Sequence, residues 1–191
     1  MNINFVKTGW SLLLTAALVT GCQTNGIGNM SEDLSKEPVD FVNPFMGNIS
    51  HLLVPTYPTV HLPNSMLRVY PERGDFTGDR LEGIPVIVTS HRGSSAFNLS
   101  PYQGDEANIK PVISYSYDLE KIVPYRYSVY LDEANINVDY APSYQSAVYS
   151  INFEKKAPNY LILNTRNGEL TSEGNSISGY QFVDDKTKIY L

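Results

Sequence analysis

The sequence predicts an all-β domain built as an antiparallel β-sandwich. Three observations carry that prediction. Apolar and polar residues alternate with period two in one segment after another from about residue 66 to the end. Turn-forming residues separate these segments at intervals of about 8–12 residues. Beyond the N-terminal segment, no window of about twelve residues carries the 3.6-residue period of an amphipathic helix. The composition agrees: 42% hydrophobic and 18% charged residues make a chain that can bury a core rather than stay disordered. The net charge is -6 and the longest basic run is the Lys155-Lys156 pair. Phosphate backbones need clustered positive charge, so nucleic acid is excluded as a partner.

Taken in order, residues 1–22 read as a targeting segment, "MNINFVKTGWSLLLTAALVTGC". Lys7 supplies a positive start, and the apolar run from Trp10 to Val19 is too short to span a bilayer as a helix. The end of the segment, Val19-Thr20-Gly21-Cys22, resembles the lipobox of bacterial lipoproteins, in which the cysteine is lipidated and becomes the first residue. Cys22 is the single cysteine of the chain, so no intramolecular disulfide competes for it. Acyl chains on Cys22 would hold the protein on a membrane of the bacterial cell envelope, in the periplasm or at the outer surface. Residues 23–38 are polar and read as a flexible linker. Gly26-Ile27-Gly28 lies within them, with no strand before it and no βαβ unit around it, so it is not a dinucleotide fingerprint.

The domain itself is expected over 39–191. Its first part, "VDFVNPFMGNISHLLVPTYPTVHLP", is cut by prolines and a glycine and reads as ordered loop. The strands follow. "RYSVYL" sets Tyr127, Val129 and Leu131 on one face. "NINVDY" does the same with Ile136, Val138 and Tyr140, and "SAVYSINF" with Ala147, Tyr149, Ile151 and Phe153. "PVISYSY", "NYLILN" and "SISGYQFV" are further strands, and the continuous apolar run "IPVIVTS" reads as a central strand buried on both faces. Turns are expected at Asp132-Glu133, Ala141 to Ser143, Lys156 to Pro158, Asn167-Gly168 and Gly174-Asn175. The last residues, "KTKIYL", are still in strand pattern. Either they close the sheet or the sequence is part of something longer, and the latter is the expectation here.

Catalytic signatures are few. HExxH, GxSxG, P-loop and CxxC are all missing from the sequence. His51, His61 and His91 do not share metal-ligand spacing on one element, and no metal ligand is assigned to the chain. Glu72, Asp75, Asp79 and Glu82 cluster in "PERGDFTGDRLEG" at a spacing that fits no EF-hand and reads as a solvated loop. No pair of carboxyls is nominated for glycosidic chemistry, because that needs a geometry which spacing does not reveal. Asn48 and Asn98 each begin an N-glycosylation sequon. The 14 tyrosines suit half-buried strands, and equally offer a flat apolar face with a hydroxyl to a sugar.

The proline-rich start carries a resemblance. "VNPFMGN…PTYPTVHLPNSMLRVYP" is similar to the opening of the N-terminal domain of glycoside hydrolase family 92, the bacterial α-mannosidases. Those proteins begin with a "VNPFIGT" phrase followed by "TYPGA…PFGMVQLSP". Ser90-His91 corresponds to the family's "SHTH" segment, and "YRYSVYLDEANINVDYAPSYQSAVYSINF" to its run of strands. The resemblance covers 39–191 and implies the N-terminal sandwich of a two-domain enzyme, packed on a helical barrel, with the sugar site between the two. It implies removal of terminal α-linked mannose with inversion and a bound Ca²⁺, the acid and base carboxylates lying in the barrel. This chain holds none of the barrel. On that view residues 43–63 and 90–104 form one wall of the sugar site, His91 is the family residue carried over, and Tyr57 and Tyr102 are sugar-stacking candidates. Thr59-Val60-His61, Asn64-Ser65 and Arg92-Gly93 depart from the family phrases, which implies altered specificity or an inactive relative. The rival expectation is a stand-alone glycan-binding surface lipoprotein that uses Tyr57 and Tyr102 without catalysis.

Overall fold

The computed structural model describes residues 36–47, 57–73, 78–89 and 95–191. The chain divides after Pro38, and the body described here starts at Val39. Among the described residues there are thirteen strands and no α-helix, so none is long and apolar enough to cross a membrane. In chain order they are β1 (Val60–His61), β2 (Arg68–Val69), β3 (Arg80–Glu82), β4 (Ile84–Pro85), β5 (Asn98–Gln103), β6 (Ser114–Val123) and β7 (Arg126–Leu131). There follow β8 (Ile136–Pro142), β9 (Ala147–Phe153), β10 (Asn159–Asn164), β11 (Gly168–Glu173), β12 (Ser176–Phe182) and β13 (Lys188–Tyr190). All pairings are antiparallel, as the sandwich reading requires.

The largest sheet has the order β3-β6-β7-β8-β9. Its register explains its inner face. Tyr127 pairs with Tyr140 and Tyr140 with Tyr149; Val129 pairs with Val138 and Val138 with Ile151; Leu131 pairs with Ile136 and Ile136 with Phe153. Period-two alternation therefore stacks apolar rows across three strands, and each row faces one way. Tyr127, Val129, Leu131, Ile136, Val138 and Tyr140 are all buried in the core, as the sequence predicts. Each fully buried aliphatic side chain contributes about 1.5–3 kcal/mol.

The opposing layer is the three-stranded sheet β10-β5-β4. Ile84 and Leu99 from it pack on the same core. Two tyrosines bridge the layers with their hydroxyls. Tyr115 Oη donates to the Pro101 carbonyl at 2.7 Å, and Tyr149 Oη to the Pro85 carbonyl at 2.9 Å. The pair β1-β2 adds Val60 and Val69 to the core, and β11-β12-β13 forms a separate small sheet. Gly83, between β3 and β4, has φ +71°. A Cβ there would lie 2.2 Å from Asn98 Oδ1, so glycine is needed both for the backbone and for the approach of Asn98.

Three local expectations are corrected. "IPVIVTS" is not one central strand: only Ile84–Pro85 pairs, with β5, and the chain then bends, with Val88 bridging to Ser95. Pro85 supplies no N–H to continue a ladder. Conversely, 98–103 is not part of a rim loop but the middle strand β5. Its Pro101 is tolerated because β4 pairs no further along than Leu99, leaving one side of β5 open. The segment 168–173, which carries too little apolar alternation to be read as a strand, pairs with β12 through a two-residue turn at Gly174-Asn175.

Candidate functional site

Two surface features lie among the residues the sequence nominates. The first grows from Tyr57, which stacks on Tyr70 with ring centroids 4.5 Å apart and planes 8° from parallel. Tyr70 is buried, and burial first, then the neighbouring Tyr57 and Glu72, pushes its hydroxyl up to about 12. Two residues on, Glu72 receives the guanidinium of Arg166 on one carboxylate oxygen and Ser95 Oγ, at 2.8 Å, on the other. Arg166 is held in turn by its backbone N–H donating to Gln181 Oε1 at 3.2 Å. Asn98 Nδ2 donates to the Glu82 carbonyl at 2.6 Å, and its Oδ1 accepts from Ser100 Oγ. Glu72, Ser95, Asn98, Arg166 and Gln181, with Phe97 and Val112, line a pocket of about 40 Å³ where β3, β5, β10 and β12 meet. It has room for a few waters at about 10–15 Å³ each, and not for a sugar ring. Its polar groups are mutually satisfied, which makes it a joint between sheets.

The second feature is an open groove of about 510 Å³ lined by Tyr102, Ala107, Asn108, Ile109, Lys110 and Ile113. Tyr102 sits near the end of β5, opposite Tyr160 of β10, with ring centroids 6.2 Å apart. A short 3-10 turn, Glu106–Asn108, forms the far wall, capped by Asp105 Oδ1, which accepts from the Ala107 N–H at 3.0 Å. Gly104 follows β5 with φ +150°, and a Cβ on it would come within 2.7 Å of Tyr102 Oη, so the missing side chain is what lets the ring lie there.

Of the nominated residues, Tyr57 stacks on Tyr70, and Tyr102 belongs to β5. Tyr102 lies four residues along that strand from Asn98, about 13 Å away at some 3.3 Å per residue. His91 lies outside the described residues. Of the loop carboxylates, Glu72 is bound to Arg166 and Ser95, Glu82 accepts from Ser114 Oγ at 3.1 Å, and Asp75 lies outside the described residues. Among the described residues no three His, Cys, Asp or Glu gather as metal ligands. The Asn98 sequon is no modification site, because the residue is buried and its amide is engaged. Arg166, Ser95, Gln181, Asn108, Lys110 and Tyr160 carry no motif, and only the folded chain puts them beside Glu72 or Tyr102.

A third polar cluster is internal. Arg73 Nη2 lies 2.5 Å from Glu120 Oε1, Arg73 Nη1 donates to Tyr117 Oη at 2.5 Å, and Tyr127 Oη donates to Glu120 Oε1 at 3.2 Å. Tyr117 Oη donates on to the Gly78 carbonyl at 2.8 Å.

Solved structures share this fold. The family GH92 inverting mannosidase BT2199 from Bacteroides thetaiotaomicron superposes with a TM-score of 0.60 at 24% identity, over 82% of this chain and 25% of that one. The family GH92 α-mannosidase BT3965 from the same organism gives a TM-score of 0.62 at 17% identity, over 76% and 23%. In complex with mannoimidazole it gives 0.60 at 18%, over 74% and 22%. The chain thus spans about a quarter of the length of the mannosidases it matches. No curated protein matches it. Residues 41–190 match the glycosyl hydrolase family 92 N-terminal domain, and the chain belongs to that family.

Proposed function

We propose that this chain is the N-terminal β-sandwich of a membrane-anchored, exo-acting α-mannosidase that hydrolyses terminal α-linked mannose from glycans. The observation that carries the reading is the family match over residues 41–190, nearly the whole body of the domain. In this reading the sandwich shapes one wall of the sugar site and docks a C-terminal helical barrel of the same protein. Its contribution is a wall presented on a core that two bridged sheets share. His91, Tyr57 and Tyr102 are the residues proposed to face sugar. The barrel supplies the acid and base carboxylates, and Ca²⁺ belongs to the longer protein, where it would polarise and orient the substrate. Cys22 carries the lipid that holds the protein to the bacterial cell envelope.

The test is release of mannose. A product of the gene that includes the barrel is expected to free mannose from α-mannosides and to lose that activity on Ca²⁺ chelation. A correctly folded full-length protein inert on every α-mannoside would sink the reading. One observation favours the second reading, a glycan-binding lipoprotein without catalysis: the groove beside Tyr102 is sugar-sized and complete within this chain.

A further inference from the structure

We infer that the groove between the end of β5 and the turn Glu106–Asn108 is a pyranose-binding site, with Tyr102 as its stacking face and Asn108 and Lys110 as its hydrogen-bonding groups. The inference rests on the carbohydrate reading above and adds a location and named contacts to it.

Four features of the groove point to a sugar. Its volume, about 510 Å³, lies within the roughly 300–1,000 Å³ of ordinary small-molecule sites. Its apolar surface is supplied by Ala107, Ile109, Ile113 and the ring of Tyr102. A pyranose presents an apolar C–H face, and a tyrosine ring offers it a flat surface with a hydroxyl at the edge. Among the described residues, no hydrogen bond or ion pair engages Tyr102 Oη, the Asn108 side-chain amide or Lys110 Nζ, so these polar groups remain open to a ligand. The amide both donates and accepts while the ammonium only donates, a set that suits hydroxyl oxygens. No carboxylate is among the lining residues, and no ion pair among the described residues engages Lys110.

The groove is also built rather than incidental. Gly104 removes the one side chain that would displace the Tyr102 ring. Asp105 fixes the turn that carries Asn108, and Tyr160 supports Tyr102 from the neighbouring strand. The site therefore sits on a sheet strand and a capped turn, with its main ring already in place.

Calorimetric titration of the protein with α-1,2-mannobiose, and with cellobiose as a second pyranose, tests this. Saturable binding is expected for at least one of them. Tyr102→Ala should weaken it at least tenfold, with Asn108→Ala and Lys110→Met each weakening it several-fold. Tyr144→Ala, an exposed tyrosine on the β8–β9 turn, should leave it unchanged. Should Tyr102→Ala fail to fold, Lys110→Met and Asn108→Ala decide alone, since both lie on the exposed turn side of the groove. No binding of either disaccharide to the folded protein, or binding that survives all three groove variants, overturns the proposal. Binding that disappears with Tyr102, in a longer product that releases no mannose, leaves the groove standing while the hydrolase reading fails.

Discussion

Arg73 and Glu120 form a salt bridge inside the domain, 2.5 Å apart, with side chains only 4% and 11% exposed. A bulge in β6 makes it possible. The register with β7 shifts between Asp118 and Lys121, and Leu119 takes φ +52° and stands 74% exposed. The extra residue re-aims Glu120 toward Arg73, as bulges do. Tyr117 Oη accepts from the other terminal nitrogen of Arg73, Tyr127 Oη donates to the same Glu120 oxygen, and the guanidinium also lies 5.0 Å from the Tyr117 ring centroid.

Removing one partner alone strands the other charge in the interior. Arg73→Met or Glu120→Met is expected to cost about 3–5 kcal/mol, and the two together much less than the sum. Urea unfolding of the two single variants and the double variant checks this. Additive losses would mean that the two side chains do not act as a pair.

The same substitution has opposite signs at two buried tyrosines. Tyr115 Oη donates to the Pro101 carbonyl across the sandwich, whereas Tyr140 Oη is buried with no partner among the described residues. Tyr115→Phe should cost about 1 kcal/mol by orphaning a carbonyl. Tyr140→Phe should be neutral or stabilising by up to about 1 kcal/mol, because it removes a polar atom that gains nothing from burial. Melting temperatures of the two variants, measured side by side, read the difference directly.

The buried tyrosines also set an alkaline limit. Burial, as the largest cause, raises the hydroxyls of Tyr70 and Tyr140 to about 12, pushes Tyr115 and Tyr149 higher still, and lifts Tyr127 well above its ordinary value. A tyrosine in the unfolded chain ionises near pH 10. Each of these groups is neutral in both states below pH 10, so its contribution is fully present there. It is lost as pH rises from about 10 toward the folded value, because the unfolded chain releases its protons first. Thermal unfolding should therefore be flat up to about pH 9.5 and fall steeply above pH 10. Tyrosinate absorbance should lag in the native state and jump on unfolding. Full ionisation near pH 10 with no loss of fold would contradict the burial.

Strands from Arg126 to Phe153 were legible because each buries one face, so period two shows in the sequence, and short turns leave little freedom in register. β5 was not legible. Its Pro101 argues against a strand, and only the early end of β4 makes room for it. β11 was missed because the small sheet leaves most of its side chains exposed, so no alternation is written into them. The groove was half legible. Tyr102 was singled out for its chemistry, but Asn108 and Lys110 are ordinary polar residues until the capped turn faces them toward it. The joint at Glu72 was hidden more deeply, since Arg166 reaches it from 94 residues away.

The central claim is that this sandwich is one part of a larger mannosidase, and the most direct measurement is the source DNA beyond codon 191. The account predicts an open reading frame continuing for several hundred codons, with the pattern of a helical barrel and carboxylates able to serve as acid and base. A verified stop immediately after Leu191, with no barrel-encoding frame adjoining, would contradict it and leave a glycan-binding lipoprotein in its place.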